Sequence, residues 1–243
     1  MKRVLALAVA VVMLSFPAAA SAVTMFSASL TNSQENPPVT PTLDGSATPR
    51  PTSFGTATLT LNDALTELTF SVTVFNIDFG RVPSQGTPVT LPPNPNPDPQ
   101  TPDILNDDLI VAHFHRGPVG TNGPVIFGFI GSPFNDNDPN DVVVTPFSSG
   151  VGGTVTGRWN LAEGNNTTLA DELANLFGGL TYINFHTAQF GGGEIRGQVN
   201  LVSTVPGPAG LGLLLLGGAL VAGMRGRLLR RDRSPLRRVD DEG

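Results

Sequence analysis

The sequence predicts an all-β protein, an antiparallel β-sandwich of about eight strands with Greek-key-like links and one short helix. Two observations lead to this fold class. Many short segments alternate apolar and polar residues and are rich in Thr, Val and Phe, which is the pattern of half-buried strands. Turn-forming residues, drawn from 28 Gly and 22 Pro, separate these segments, and one stretch alone has the apolar spacing of an amphipathic helix.

Eight segments show the alternation typical of strands. In chain order they are residues 26–31, 55–62, 68–77, 109–115, 124–130, 153–159, 182–186 and 194–202. Because successive side chains of a strand point to opposite faces, each segment is expected to turn one face to a common core.

The predicted helix lies in the segment "TTLADELANLFGG". Its apolar face consists of Leu169, Leu173, Leu176 and Phe177, at helical spacing. Thr168 is expected to cap the start, with Asp171 and Glu172 in the first turn, where the helix dipole favours negative charge. Gly178 is expected to end the helix in the left-handed conformation.

The first 22 residues have the three-part pattern of a secretory signal peptide. Lys2 and Arg3 precede an apolar run that ends in "ASA", and cleavage is expected after Ala22, with Ala20 as the other small residue of the site. An uncleaved membrane anchor is the alternative. Exported proteins commonly contain disulfides, yet this chain has no Cys, so packing alone has to hold the fold.

The C-terminal end predicts a sorting signal with a transmembrane segment. Val205, Pro206 and Pro208 precede an apolar run, residues 209–224, and a cluster of Arg follows. This order resembles the PEP-CTERM sorting signal of Gram-negative bacteria, although Gly207 stands where the usual motif has Glu. The resemblance implies secretion and then processing by an exosortase-type enzyme. A plain C-terminal membrane anchor is the alternative, and both place the preceding residues outside the cytoplasm.

The chain therefore divides into a signal peptide (residues 1–22), a body (residues 23–204) and a C-terminal sorting segment with a basic tail (residues 205–243). Between residues 23 and 205, five Arg face sixteen Asp and Glu, a net charge of −11. An acidic body argues against a nucleic-acid partner, because phosphate binding requires a basic surface. Residues 81–102, rich in Pro, Asn and Gly, are expected to form an extended surface loop of this body.

Three motifs follow one another in the body: "AHFHRGPVGTNGPVI", "LFGGLTYINFHT" and "GGGEIRGQV". Their order closely resembles the chordin-type (CHRD) domain, and the opening "FSASLTNSQENPPV" is similar to the first strand and turn of that family. The resemblance covers roughly residues 25–201. It implies an exported or surface-exposed protein of bacteria, and it implies little about ligands, since bacterial members have no reason to share those of chordin.

The three His of the chain all lie within these motifs. His113 and His115 project from the same face of a strand, and His186 shares a face with Asn184 on another. If the two strands are neighbours, three imidazoles meet, and Glu194 can add a carboxylate, a ligand set suited to zinc or copper. In the structural alternative, His113 and His186 hold turns through backbone hydrogen bonds, and Arg196 pairs with Glu194 or Asp171.

The expected function is that of a non-enzymatic binding or structural module at the cell surface or in the extracellular matrix, with a polymer or protein as its ligand. The chain contains neither Cys nor a G-x-S-x-G motif, so no catalytic nucleophile is indicated. The alternative function is metal binding through His113, His115 and His186, with redox activity.

Overall fold

Strands are the main regular structure of the described residues. The computed structural model describes residues 22–43, 46–79, 100, 106–138 and 141–206. The strands are β1 (Ala22–Thr31), β2 (Phe54–Leu61), β3 (Glu67–Phe75), β4 (Leu109–Arg116), β5 (Val125–Ile130), β6 (Val143–Pro146), β7 (Gly152–Asn160), β8 (Thr181–Thr187), β9 (Ile195–Gln198) and β10 (Asn200–Pro206). A single α-helix, α1 (Leu169–Phe177), and a short 3-10 turn (Asn32–Gln34) complete the described elements. The all-β prediction is confirmed.

The described residues form two strands more than the eight predicted segments. β6 places only Val144 in the core and so lacks a visible alternation. The predicted strand 194–202 is divided at Val199 into β9 and β10, and the Val199 backbone N–H donates to Thr181 O of β8 at 2.9 Å.

All ten strands belong to one antiparallel sheet rather than to two separate sheets. Nine of them follow the order β5-β4-β8-β9-β1-β2-β3-β7-β6, and β10 pairs with β1. β1 runs alongside β2 for eight residue pairs and meets β9 at Thr31, opposite Arg196. β1 is therefore the strand at which one half of the curled sheet, β2-β3-β7-β6, continues into the other, β5-β4-β8-β9.

The two halves face each other across an aromatic core. The Phe70 ring of β3 lies 5.3 Å from the Phe114 ring of β4 and 5.0 Å from the Phe129 ring of β5, measured between centroids. Trp159 of β7 stacks on Phe127 of β5 at 5.0 Å. Strands that are not neighbours in the sheet thus share one apolar interior, and this burial is the main source of the stability of the fold.

The helix begins as the sequence predicts and ends differently. Thr168 and Asp171 form a reciprocal capping box, in which Thr168 Oγ1 accepts from the Asp171 backbone N–H at 3.2 Å. The prediction for Gly178 is wrong, because this residue keeps a right-handed conformation (φ −78°). The left-handed position falls one residue later, on Gly179 (φ +67°), which allows the chain to turn directly into β8.

Several predicted segments lie outside the described residues: the signal peptide up to Ser21 with Ala20, the loop 81–102 except Gln100, and the tail from residue 207 with Pro208. Of the predicted processing residues that are described, Ala22 begins β1, and Val205 and Pro206 end β10. In the part of the chain that the structure describes, no helix has both the length and the apolarity to cross a membrane.

Candidate metal centre

The two halves of the sheet differ in what lies on their outer faces. In β2 and β3, buried and more exposed side chains alternate, so that one face is turned to solvent. In β8 and β9 every residue is buried, including the positions that point away from the apolar core. These outward side chains, together with two from β4, form a buried polar layer consisting of His113, His115, Tyr182, Asn184, His186, Glu194, Arg196 and Gln198.

The segment between β1 and β2 and two turns cover the polar layer. From the β1–β2 segment, Asn32 donates to Glu194 O at 2.7 Å, and Arg50 reaches the Glu194 carboxylate. From the turn after β4, Asn122 donates to the backbone of the same segment, at Asn36 O (2.7 Å), so that the two covering pieces are joined. The turn between β8 and β9 supplies Gly191, whose carbonyl contacts His186.

Strand pairing brings the three His together. β4 and β8 are neighbours, with Val111 opposite His186, His113 opposite Asn184 and His115 opposite Tyr182. The ring centroid of His113 lies 5.5 Å from that of His115 and 5.2 Å from that of His186. Each ring offers one nitrogen to a group in which all ligand atoms lie within 4.8 Å of one another.

Each of these rings uses one nitrogen for a backbone carbonyl and leaves the other without a partner. His113 Nε2 faces Ser132 O at 3.3 Å, His115 Nδ1 faces Gly123 O at 3.0 Å, and His186 Nδ1 faces Gly191 O at 3.0 Å. A carbonyl accepts only, so each of these nitrogens carries the proton of a neutral ring. The opposite nitrogens, His113 Nδ1, His115 Nε2 and His186 Nε2, are buried lone pairs with no hydrogen-bond donor.

Burial keeps these rings neutral. Burial, together with the neighbouring His186 and His115, lowers the pKa of His113 from 6.5 to about 3. Burial likewise lowers the pKa of His186 to about 4 and the pKa of His115 below its usual value, against the carbonyl hydrogen bonds, which raise both. Neutral imidazole is the form that binds metals, so no proton has to leave before a cation enters.

The fourth predicted ligand, Glu194, lies in the same polar layer but has other partners. Its carboxylate accepts from Arg50 Nη2 and from Thr187 Oγ1, both at 2.6 Å, and from Ser53 Oγ. Both members of the Arg50–Glu194 ion pair are buried, with side-chain exposures of 2% and 0%. Glu194 therefore connects β9 to the covering segment, and it is not part of the group formed by the three His.

Arg196 forms an ion pair with neither Glu194 nor Asp171, the two partners suggested by the sequence. Its guanidinium donates to Thr121 O and Pro118 O, both at 2.9 Å, and lies 3.5 Å from the centroid of the Tyr182 ring. That ring stacks in turn on His115, at 4.8 Å and nearly parallel. Arg196, Tyr182 and His115 thus form a stack that closes one side of the histidine group.

Glu35 is a second carboxyl group under the cover. Asn184 Nδ2 lies 3.5 Å from its Oε2, while its Oε1 has no partner. Burial raises the pKa of Glu35 from 4.5 to about 7, although the charge of Arg196 and the contact with Asn184 act in the opposite direction. At pH 7 this group is therefore about half protonated, whereas a carboxyl group with its usual pKa is ionised.

Sequence reasoning found the three His but missed Arg50, Ser53 and Glu35. The segment that carries them has the Pro, Gly and Ser content of an ordinary loop. The one local signal was Arg50, a cation in a body with only five Arg and the single charged residue between positions 45 and 62. A buried cation of this kind needs a buried anion, but the sequence does not identify Glu194 as that anion.

The comparisons with known proteins agree with the motif order. The model of the CHRD domain family matches residues 26–199. No curated protein and no solved structure matches the chain.

Replacing Arg50 with Met should lower the free energy of unfolding by about 3–5 kcal/mol, because the Glu194 carboxylate is then buried without its counter-ion. Chemical denaturation measures this loss. Arg158→Met is the matched control, since Arg158 lies 3.8 Å from Glu67 with a side-chain exposure of 54%. It should change the unfolding free energy by less than about 0.5 kcal/mol. Equal effects of the two variants would contradict the role given to Arg50.

Replacing Glu35 with Gln should change how stability depends on pH. The folded state raises the pKa of this carboxyl to about 7, so its stabilising contribution is complete below about pH 4.5 and is lost as the pH rises through about 7. The Gln variant lacks this loss. Relative to the wild type, it should gain up to about 3 kcal/mol of unfolding free energy between about pH 5 and about pH 8. Urea denaturation at both pH values measures the difference, and a pH-independent difference would be the contrary result.

Proposed function

Because the chain belongs to the CHRD domain family, we propose that its body is a non-enzymatic binding module outside the cytoplasm, and that this module holds one transition-metal ion, zinc or copper. The metal site consists of His113, His115 and His186. The module itself binds a polymer or protein of the cell surface or extracellular matrix.

One observation carries the metal proposal: three buried His each have a nitrogen without a partner, and their rings lie so close together that one nitrogen of each is within 4.8 Å of one nitrogen of the others. Burying a polar atom without a hydrogen bond costs about 1–3 kcal/mol, so three such atoms in one place are a large penalty for a purely structural group. A cation with three nitrogen ligands removes this penalty at all three positions.

The distances suit this role. Three atoms at most 4.8 Å apart lie within about 2.8 Å of a common centre, so each has to move by less than ~1 Å to reach a metal–nitrogen distance of ~2.0–2.1 Å. Small rotations of the rings supply such a shift. Each ring also donates its other N–H to a backbone carbonyl, the arrangement that fixes the tautomer and orientation of metal-binding His in proteins.

The burial of the three His favours a site that holds an ion over a site that catalyses a reaction. The exposed fractions of His113, His115 and His186 are 4%, 7% and 7%. A bound ion would lie beneath the covering segment, where a substrate has no room to approach. The ion therefore stabilises the covered face of the sheet, and ligand recognition falls to the outer surface of the module.

The cellular setting of the proposal rests on the two ends of the chain. The signal-peptide pattern and the segment resembling PEP-CTERM support export, exosortase-type processing and retention at the membrane or cell surface. The acidic body supports a partner other than nucleic acid.

Elemental analysis by mass spectrometry tests the metal site. The protein purified without chelators should contain close to one equivalent of zinc or copper, and His113→Ala/His115→Ala should contain almost none. Arg158→Met is the control, because Arg158 has a side-chain exposure of 54% and lies outside the polar layer, so this variant should retain the metal. If the wild type takes up no metal even when transition metals are added, the His are parts of the fold alone and the metal proposal fails.

Cell fractionation tests the proposed export and the proposed retention at the membrane or cell surface. A variant truncated after Thr204 keeps the signal peptide but loses the apolar run and the Arg cluster, so it should move from the membrane and surface fractions to the medium. Retention of the truncated protein in the cytoplasm would contradict export. Its retention at the membrane would contradict the role given to the C-terminal segment.

A further inference from the structure

We propose that the ion held by His113, His115 and His186 is monovalent copper, Cu(I), in preference to any divalent ion. This inference rests on the proposed metal-binding function and specifies its ligand. It follows from the charge of the surroundings and from the number of ligands.

The three ligands contribute no charge. Each is a neutral ring whose only ring N–H is directed at a backbone carbonyl. An ion bound to them keeps its full charge in a buried place, and the cost of burying an ion rises with the square of its charge. A divalent ion therefore meets about four times the desolvation cost of a monovalent one in the same site.

The charges nearby add to this preference. The Arg196 guanidinium stacks on Tyr182, and Tyr182 stacks on His115, which places a fixed positive charge one ring beyond the site. Two carboxyl groups under the cover do not compensate for it. Glu194 is neutralised by Arg50, and burial raises the pKa of Glu35 to about 7. The surroundings thus penalise a second positive charge on the ion.

The number of ligands points the same way. Zinc in proteins takes four ligands, and a three-His zinc site completes its shell with water or substrate at an open position. Here the described residues provide three nitrogens under a cover, with exposed fractions of 4–7%. Copper accepts imidazole ligands readily, and a three-coordinate shell satisfies Cu(I).

Competitive titration tests the preference on the full chain. Under anaerobic conditions, the protein is titrated with Cu(I) against a chromophoric Cu(I) chelator, and separately with Zn(II) against a zinc chelator. Cu(I) should bind with one-to-one stoichiometry and roughly a hundredfold lower Kd than Zn(II), because of the difference in desolvation cost. His113→Ala/His115→Ala should abolish the Cu(I) binding.

A variant with one anionic ligand tests whether ligand charge causes the preference for Cu(I). His113→Asp replaces a neutral ligand with an anionic one, so it should shift the ratio of the Cu(I) and Zn(II) Kd values at least about tenfold towards Zn(II). His186→Asp serves the same purpose if circular dichroism shows that the first variant is unfolded. An unchanged ratio in a folded variant would overturn the charge argument.

The outcomes separate the two proposals. If neither ion binds, or if both bind equally well to the double Ala variant, the metal-binding function itself is wrong. If Zn(II) binds as tightly as Cu(I) or more tightly, and binding requires the His, the metal site stands and the assignment to Cu(I) is overturned.

Discussion

The ion pair between Arg50 and Glu194 is the interaction on which the buried polar layer depends. Glu194 belongs to the outer face of the sheet and Arg50 to the segment that covers this face, so the pair joins two parts of the chain that are 144 residues apart in sequence. Neither charge has access to water, and each is tolerable only because the other is present. With the cover held in place, the polar positions of β4, β8 and β9 lie in an interior instead of at a surface.

This arrangement gives the molecule two interiors of opposite character. One lies between the halves of the curled sheet and is made of Phe, Trp and aliphatic side chains, where non-directional packing is sufficient. The other lies under the cover, where each polar group needs a partner in the correct direction. In that second interior, Arg50 donates to Glu194 and Arg196 donates to backbone carbonyls, but several side-chain atoms have no hydrogen-bond partner, among them one nitrogen of each His. The proposed ion occupies the part of this incomplete network in which the three imidazoles lie together.

Local patterns in the sequence predicted the all-β class, the helix and its N-terminal cap, because alternation, helical spacing and capping residues act over a few positions. The i, i+2 rule also placed His113 and His115 on one face. The meeting with His186 depended on β8 lying beside β4, a pairing between distant segments that no local pattern contains. The sequence offers Glu194 as a carboxylate that can join the three His. The structure instead pairs it with Arg50, from a segment whose composition resembles that of a solvated loop.

The covering segment has a kinetic consequence. A ligand of the polar layer has no direct route to solvent, so it enters and leaves only when the cover opens locally, as surface segments of proteins do at a fraction of the cost of global unfolding. The exchange rate of a bound ion then depends on how often the covering segment and the two turns open, as well as on the strength of the bonds to the ion. An ion that is enclosed during folding would remain with the protein for much longer than its equilibrium affinity suggests, and the order in which the chain folds and meets its metal would decide which ion it carries.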